Sequence, residues 1–328
     1  MAMDIQTRRA RREASRRRRR RRRLTAMLTV LALLAGAAAV LAALSGGSSR
    51  SNSSAHDTAT TIATVQAHGR HDGSSTTSTV AADGPAGKPG VEPVPILMYH
   101  VIAAPPAGAP FPGLYVPPAE FAAQMQALKS AGWHAVTLDQ VESYWRKGVP
   151  LGAGKPIVLS FDNGYSSQYT QALPVLRRLG WVGDENIQLT GLPPSQGGLS
   201  RRQVQGLLGA GWELDTQGFS HADLIALDAQ QLHYQVAVAR TVVQQRYHVP
   251  VNWFCYPSGH YDAAVLAAVK AAGYTGSTTV VPGWGRPDGD PYRLHRLRVL
   301  GGTSPQALLT LIAAVRDDPP APPSYNGA

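Results

Sequence analysis

The chain has one cysteine, Cys255, so no intrachain disulfide can form, and any location outside the cytoplasm must be argued from other features. It also lacks an excess of charge on its main body. The formal net charge of +10 invites a nucleic-acid reading, but residues 1–23 alone hold twelve of the 31 Lys and Arg against two acids. The remaining residues balance at 19 basic and 19 acidic, which excludes a broad basic surface on the folded part and with it a nucleic-acid partner. Aromatic residues are few, at 7%, and charged residues are 16%, yet 44% hydrophobic content over 328 residues suffices for one large core.

Long apolar runs are also scarce, and the one present is placed tellingly. Leu24 to Leu44 carries no charge over 21 residues, follows eight successive arginines (Arg16 to Arg23), and precedes the next charge, Arg50. At ~1.5 Å per residue such a helix spans about 31 Å, the thickness of a bilayer core. The positive-inside rule then places residues 1–23 in the cytoplasm and everything after the span outside, as a single-pass cell-membrane protein. The rival is a signal peptide cleaved near Ala42 to Gly46, which would release a secreted protein; the apolar run is longer than the usual signal core of ~7–15 residues. Residues 45–90 are rich in Ser, Thr, Ala, Gly and Pro and read as a disordered tether, with a typical end-to-end distance of ~35–40 Å. Residues 317–328 read as a second disordered tail.

Between them, residues 91–316 alternate strand-like and helix-like patterns. Strands are expected at 95–100, 156–161, 211–217, 251–256 and 276–281, and helices at 117–131, 168–179, 201–210, 228–247 and 262–272, several of them ending on glycine. This β/α alternation predicts a parallel sheet closed or nearly closed into a barrel, with the site at the C-terminal ends of the strands.

The segment Leu159-Ser160-Phe161-Asp162-Asn163-Gly164-Tyr165, followed by Trp212-Glu213-Leu214-Asp215-Thr216-Gln217-Gly218-Phe219-Ser220-His221-Ala222-Asp223-Leu224, resembles the first two motifs of the polysaccharide deacetylases, the NodB-homology or carbohydrate esterase family 4 group. Trp253 to Asp262 resembles the family's Tyr-Pro-x-Gly segment, Pro95 to His100 its opening strand and Arg293 to Val299 its closing segment. The resemblance spans residues 93–315 and implies a distorted (β/α) TIM-like barrel of the NodB-homology, glycoside hydrolase/deacetylase type. It implies a hydrolase that removes N- or O-acetyl groups from a cell-surface polysaccharide or peptidoglycan, through a divalent, zinc-like metal held by one aspartate and two histidines.

Carried over residue by residue, Asp162 matches the catalytic base, and the metal positions fall on Asn163, Gln217 and His221. The first two offer only a neutral amide oxygen, so this set should hold zinc weakly or not at all. Asp215, two residues before Gln217, would share its face and could pair with Asp162 as a second catalytic carboxylate. His295 is a further proton-transfer candidate, and His100, Tyr165, Tyr256, Pro257 and His260 are candidates for contact with the glycan. Phe254 stands where many members carry an arginine that orients the base. Two departures from the metal set leave a second reading open, a catalytically inactive glycan-binding protein of the same fold. The polar run Asp184-Glu185-Asn186 stands where the family has an apolar strand; two acids buried there without partners would be costly, so either a solvent-facing strand start or an unusual substrate-side feature is expected.

Overall fold

The computed structural model describes residues 87–190, 192 and 197–316. The expected cytoplasmic tail (1–23), membrane helix (24–44), most of the tether (45–90) and the C-terminal tail (317–328) lie outside these residues; within them, no helix is long and apolar enough to cross a membrane. The Gly87 and Gly90 amides donate to the Lys147 and Tyr144 carbonyls.

Eight parallel strands form the sheet: β1 (Ile96–Tyr99), β2 (Trp133–Val136), β3 (Lys155–Asn163), β4 (Asp184–Ile187), β5 (Glu213–Thr216), β6 (Trp253–Cys255), β7 (Gly276–Pro282) and β8 (Leu294–Arg298). Their order runs β1-β8-β7-β6-β5-β4-β3, and β1 also pairs with β3, which closes a seven-stranded ring; β2 pairs with the first half of β3. This is the closed parallel barrel that the alternating pattern predicts, in the distorted (β/α) form that the resemblance implies. The helices are α1 (Pro118–Ser130), α2 (Leu138–Lys147), α3 (Leu173–Leu179), α4 (Arg201–Leu208), α5 (Ala229–His233), α6 (Ala239–Tyr247), α7 (Ala263–Ala271) and α8 (Pro305–Ala314). The single helix expected at 228–247 is α5 and α6, joined by one wider π-helical turn at Tyr234–Val238.

Period-two alternation explains what each face of the sheet does. Leu159 and Phe161 of β3 enter the apolar layer between sheet and helices, where Phe161 stacks on Trp212 at 4.9 Å and meets Tyr99 at 5.7 Å. Ser160 and Asp162 face the opposite way, where both meet Arg296 of β8. The barrel interior is apolar at the strand starts, where Ile96, Val158, Trp253 and Leu294 pack together, and polar around Asp162, and a buried polar layer holds only if its groups find partners.

The sequence expectation fails at β4. All four of its residues are buried, Asp184 and Glu185 completely, where a solvent-facing start was expected. Asn186 faces the interior and donates to Asp162, and Asp184 accepts the Leu138 N–H at the first turn of α2, where the helix presents free amides and a positive dipole end. Burial pushes the carboxyls of Asp184 and Glu185 well above their usual range, which disfavours their charged forms.

Candidate active site

Asp162 sits one residue before the end of β3, at the floor of a groove of about 620 Å³ at the C-terminal ends of the strands. The chain leaves β3 through Asn163 and Gly164, both with φ of 80°; asparagine is among the few non-glycine residues that accept the left-handed region. His221 (φ 50°) and Ser258 (φ 57°) also line the groove, so three of the four non-glycine residues with positive φ among the described ones meet here. Such clustering is what a site that over-determines its backbone shows.

The carboxylate is completely committed. Its Oδ1 accepts from Arg296 Nη1 at 2.7 Å and Asn186 Nδ2 at 2.9 Å; its Oδ2 accepts from Arg296 Nη2 at 2.9 Å and faces Cys255 Sγ at 3.5 Å. Burial alone would raise its pKa, but the guanidinium overrides it and holds the group down at about 2. Burial pushes the Cys255 thiol up to about 12, so it stays protonated beside the pair. His100 Nε2 lies 3.9 Å from Asp162 Oδ2, and burial lowers this imidazole to about 4 despite the nearby carboxylate. Burial likewise lowers His221. Both are neutral at pH 7. Across the groove, His260 Nδ1 contacts the Asp223 carboxylate at 3.0 Å, Tyr256 stacks on Tyr261 at 4.7 Å and donates to the Tyr292 carbonyl, and Tyr115, Phe111 and Arg298 complete the walls.

Of the residues expected from sequence, the structure brings together His100, Asp162, Asn163, Tyr165, Gln217, His221, Tyr256 and His260 in this one groove. Three do not line it. Asp215 is completely buried and pairs not with Asp162 but with the Trp253 N–H at 2.8 Å, in an acidic cluster with Asp184 and Glu213. His295 falls on the other parity of β8 from Arg296 and lies beside Gly283, outside the groove. Pro257 is buried inside the turn that carries Tyr256 and Ser258, and shapes the wall without facing it.

Sequence reading missed Arg296 and Asn186, the two residues that fix Asp162. Phe254, at the position where an orienting arginine was expected, belongs to the outer aromatic layer with Tyr256 and Tyr274. The guanidinium comes instead from β8. Leu294 and Leu297 are buried on opposite faces of β8, so its sequence does not mark the inward parity of Arg296.

A zinc-like cation was the cofactor implied by resemblance, and the residues present do not fit it. The expected ligand positions supply two neutral amides, Asn163 and Gln217, and one imidazole, His221, and the only carboxylate lining the groove has both oxygens bound to Arg296. Among the described residues, no three His, Cys, Asp or Glu side chains are grouped so as to hold a metal ion.

Residues 152–277 match the sequence model of the family described as polysaccharide deacetylase. YxkH of Bacillus subtilis (strain 168), a protein assigned by name to the polysaccharide deacetylases, is 28% identical over 224 residues, covering 68% of this chain and 77% of YxkH. The poly-beta-1,6-N-acetyl-D-glucosamine N-deacetylase of Escherichia coli (strain K12) is 38% identical over a shorter stretch of 58 residues, 18% of this chain and 8% of that protein. Among solved structures, the Streptococcus pyogenes deacetylase PplD in complex with acetate shares the fold with a TM-score of 0.62 at 24% identity, over 68% of this chain and 99% of PplD. A polysaccharide deacetylase from Bacillus cereus gives 0.59 at 25% identity, over 68% of this chain and 69% of its own.

Proposed function

We propose that this chain, which carries a polysaccharide deacetylase domain, hydrolyses acetyl groups from a cell-surface glycan on the outer side of the cell membrane. The observation that carries the reading is the groove itself. It is open to a polymer, walled by aromatic rings and imidazoles, and floored by a carboxylate fixed in one orientation. The outside location is supported by the sequence of residues 1–44, and residues 45–90 would let the domain reach polymer just beyond the bilayer.

The chemistry available is attack of water on the acetyl carbon. His221, neutral at pH 7 and facing the groove, takes the proton from the attacking water as the C–O bond forms. The fixed negative charge of Asp162 favours the imidazolium that results, and Arg298 at the rim offers positive charge to the developing oxyanion. The imidazolium then returns its proton to the leaving amine or alcohol as the acetyl C–N or C–O bond breaks, releasing acetate. The amides of Asn163, Gln188 and Gln217 line the same groove and match both the N–H and the carbonyl of an acetamido group, since each amide offers a donor and an acceptor.

The commitment of both Asp162 oxygens to Arg296, together with the neutral amides at the metal positions, favours one further reading, a protein that binds acetylated glycan without turning it over. Acetate release from N- and O-acetylated oligosaccharides separates the two. The hydrolase reading predicts release that His221→Ala and Asp162→Asn abolish. Wild-type protein that binds the oligosaccharides and releases no acetate would establish the second reading instead.

A further inference from the structure

We infer that this site works without a divalent cation, and that Arg296 is its resident positive charge, a positioning residue that holds Asp162 from behind the groove. Arg296 is 1% exposed and does not line the groove, whereas Asp162 does. All five of its N–H donors have acceptors: Nε gives to the Thr279 carbonyl at 2.8 Å, Nη1 to Ser160 Oγ at 3.1 Å and Asp162 Oδ1 at 2.7 Å, and Nη2 to Asp162 Oδ2 at 2.9 Å and Cys255 Sγ at 3.2 Å. A side chain tied at five points, to one backbone carbonyl and to the side chains of Ser160, Asp162 and Cys255, has one position. The guanidinium can neither swing into the groove nor release the carboxylate to a second cation.

The charges close without a metal. One guanidinium neutralises one carboxylate, and the residues facing the groove beside them, Asn163, Gln217 and Gln188, are uncharged amides. A dication placed among them would gain no anionic ligand and would sit near a fixed positive charge, at a depth where charges interact strongly. Amides at these positions suit a different task, hydrogen bonding to a neutral ligand. Burial of Arg296 is itself costly, and Asp162 with Asn186, Ser160 and Thr279 forms the shell that offsets the cost.

The inference rests on the proposed glycan reading only for one probe, and its first arm uses no substrate. Zinc is titrated by calorimetry into the full-length protein, into Asn163→Asp/Gln217→His, and into that double variant with Arg296→Met. The expectation is no stoichiometric zinc in wild type at ~0.1 mM. The double variant should bind one zinc, and removal of the resident cation should tighten that binding by about tenfold or more. A merely structural arginine would not move zinc affinity in that direction. In the second arm, affinity for an N-acetylglucosamine oligomer is measured on wild type with and without EDTA, and should be unchanged. This arm stands even where the Arg296→Met variant fails to fold. Stoichiometric zinc on the wild type, equal zinc affinity with and without Arg296, or glycan affinity that collapses in EDTA would each overturn the inference. Absence of acetate release would overturn the hydrolase reading and leave this one intact.

Discussion

At the scale of single residues, the Asp162–Arg296 pair joins stability to function. Both are buried, so neither charge has water to fall back on, and removing one leaves the other unpaired. Asp162→Asn is therefore expected to lower unfolding free energy by about 3–5 kcal/mol as well as to end turnover, measured by urea unfolding beside an acetate assay. Arg296→Lys, which keeps the charge but loses the bidentate fork, should lose less. The same residues set the response to acid. Asp162 is held at about 2 in the fold against 3.8 for a free carboxyl, so its contribution is fully present above pH 3.8 and lost as pH falls towards 2. His100 is lowered to about 4 from 6.5, so folding favours its neutral form; that contribution is present above pH 6.5 and lost as pH falls through 4. Unfolding midpoints of wild type and His100→Gln between pH 7 and pH 4 should converge as the wild type loses this term. Parallel curves would contradict the assignment.

At the scale of elements, the start of α2 seals the end of the barrel away from the groove. Thr137 caps the helix in a reciprocal box with Gln140, and the free amides of Leu138 and Asp139 donate to Asp184 of β4 and Glu213 of β5. Asp139 in turn accepts from the Trp253 indole and from Asn252 at the start of β6. Burial, and then neighbouring acids, raises the carboxyls of Asp184, Glu213 and Asp215 well above their usual range. The sign here opposes that of Asp162: a raised folded pKa contributes stability below the unfolded value, near pH 4, that is lost as pH rises. Asp215→Asn keeps the acceptor for the Trp253 amide and removes the titration, so it should stabilise the protein more at pH 8 than at pH 5, as read from thermal midpoints. An equal shift at both would show that Asp215 does not titrate with folding.

These elements also show what the sequence carried and what it did not. The apolar runs of β1 and β3 and the glycine-terminated helices were legible because period and end signals agreed. Asp184-Glu185-Asn186 was opaque because its burial depends on amides and partners supplied by α2, β3 and β5, far away in the chain. Asp215 was misassigned for a related reason. Parity placed it on the inner face correctly, opposite Asn186, but only its bond to the Trp253 amide shows that its partner lies elsewhere than in the groove.

At the scale of the whole molecule, the folded domain carries no surplus of charge, and the basic residues concentrate at 1–23 ahead of the apolar run at 24–44. We propose that this arrangement keeps the N-terminus in the cytoplasm and delivers the groove outside. Protease added to intact cells should then digest the domain while a tag placed before Arg8 survives, and replacing Arg16 to Arg23 with neutral residues should weaken that orientation. Protection of the domain would contradict it. A seven-stranded closed ring, with a hydrogen-bonded polar layer around Asp162, floors the groove, so substrate choice falls to its walls: Phe111 and Tyr115 before α1, Tyr256 to His260 after β6, and the amides at the ends of β3, β4 and β5.

Whether the site is metal-free is read from the initial rate of acetate release from an N-acetylated glucosamine oligomer by EDTA-dialysed protein, with and without added zinc. A ratio of about one, with both rates lost in Asp162→Asn, is the predicted result. Release that appears only when zinc is restored would show that the amides of Asn163 and Gln217 hold a metal after all, and would contradict the site described above.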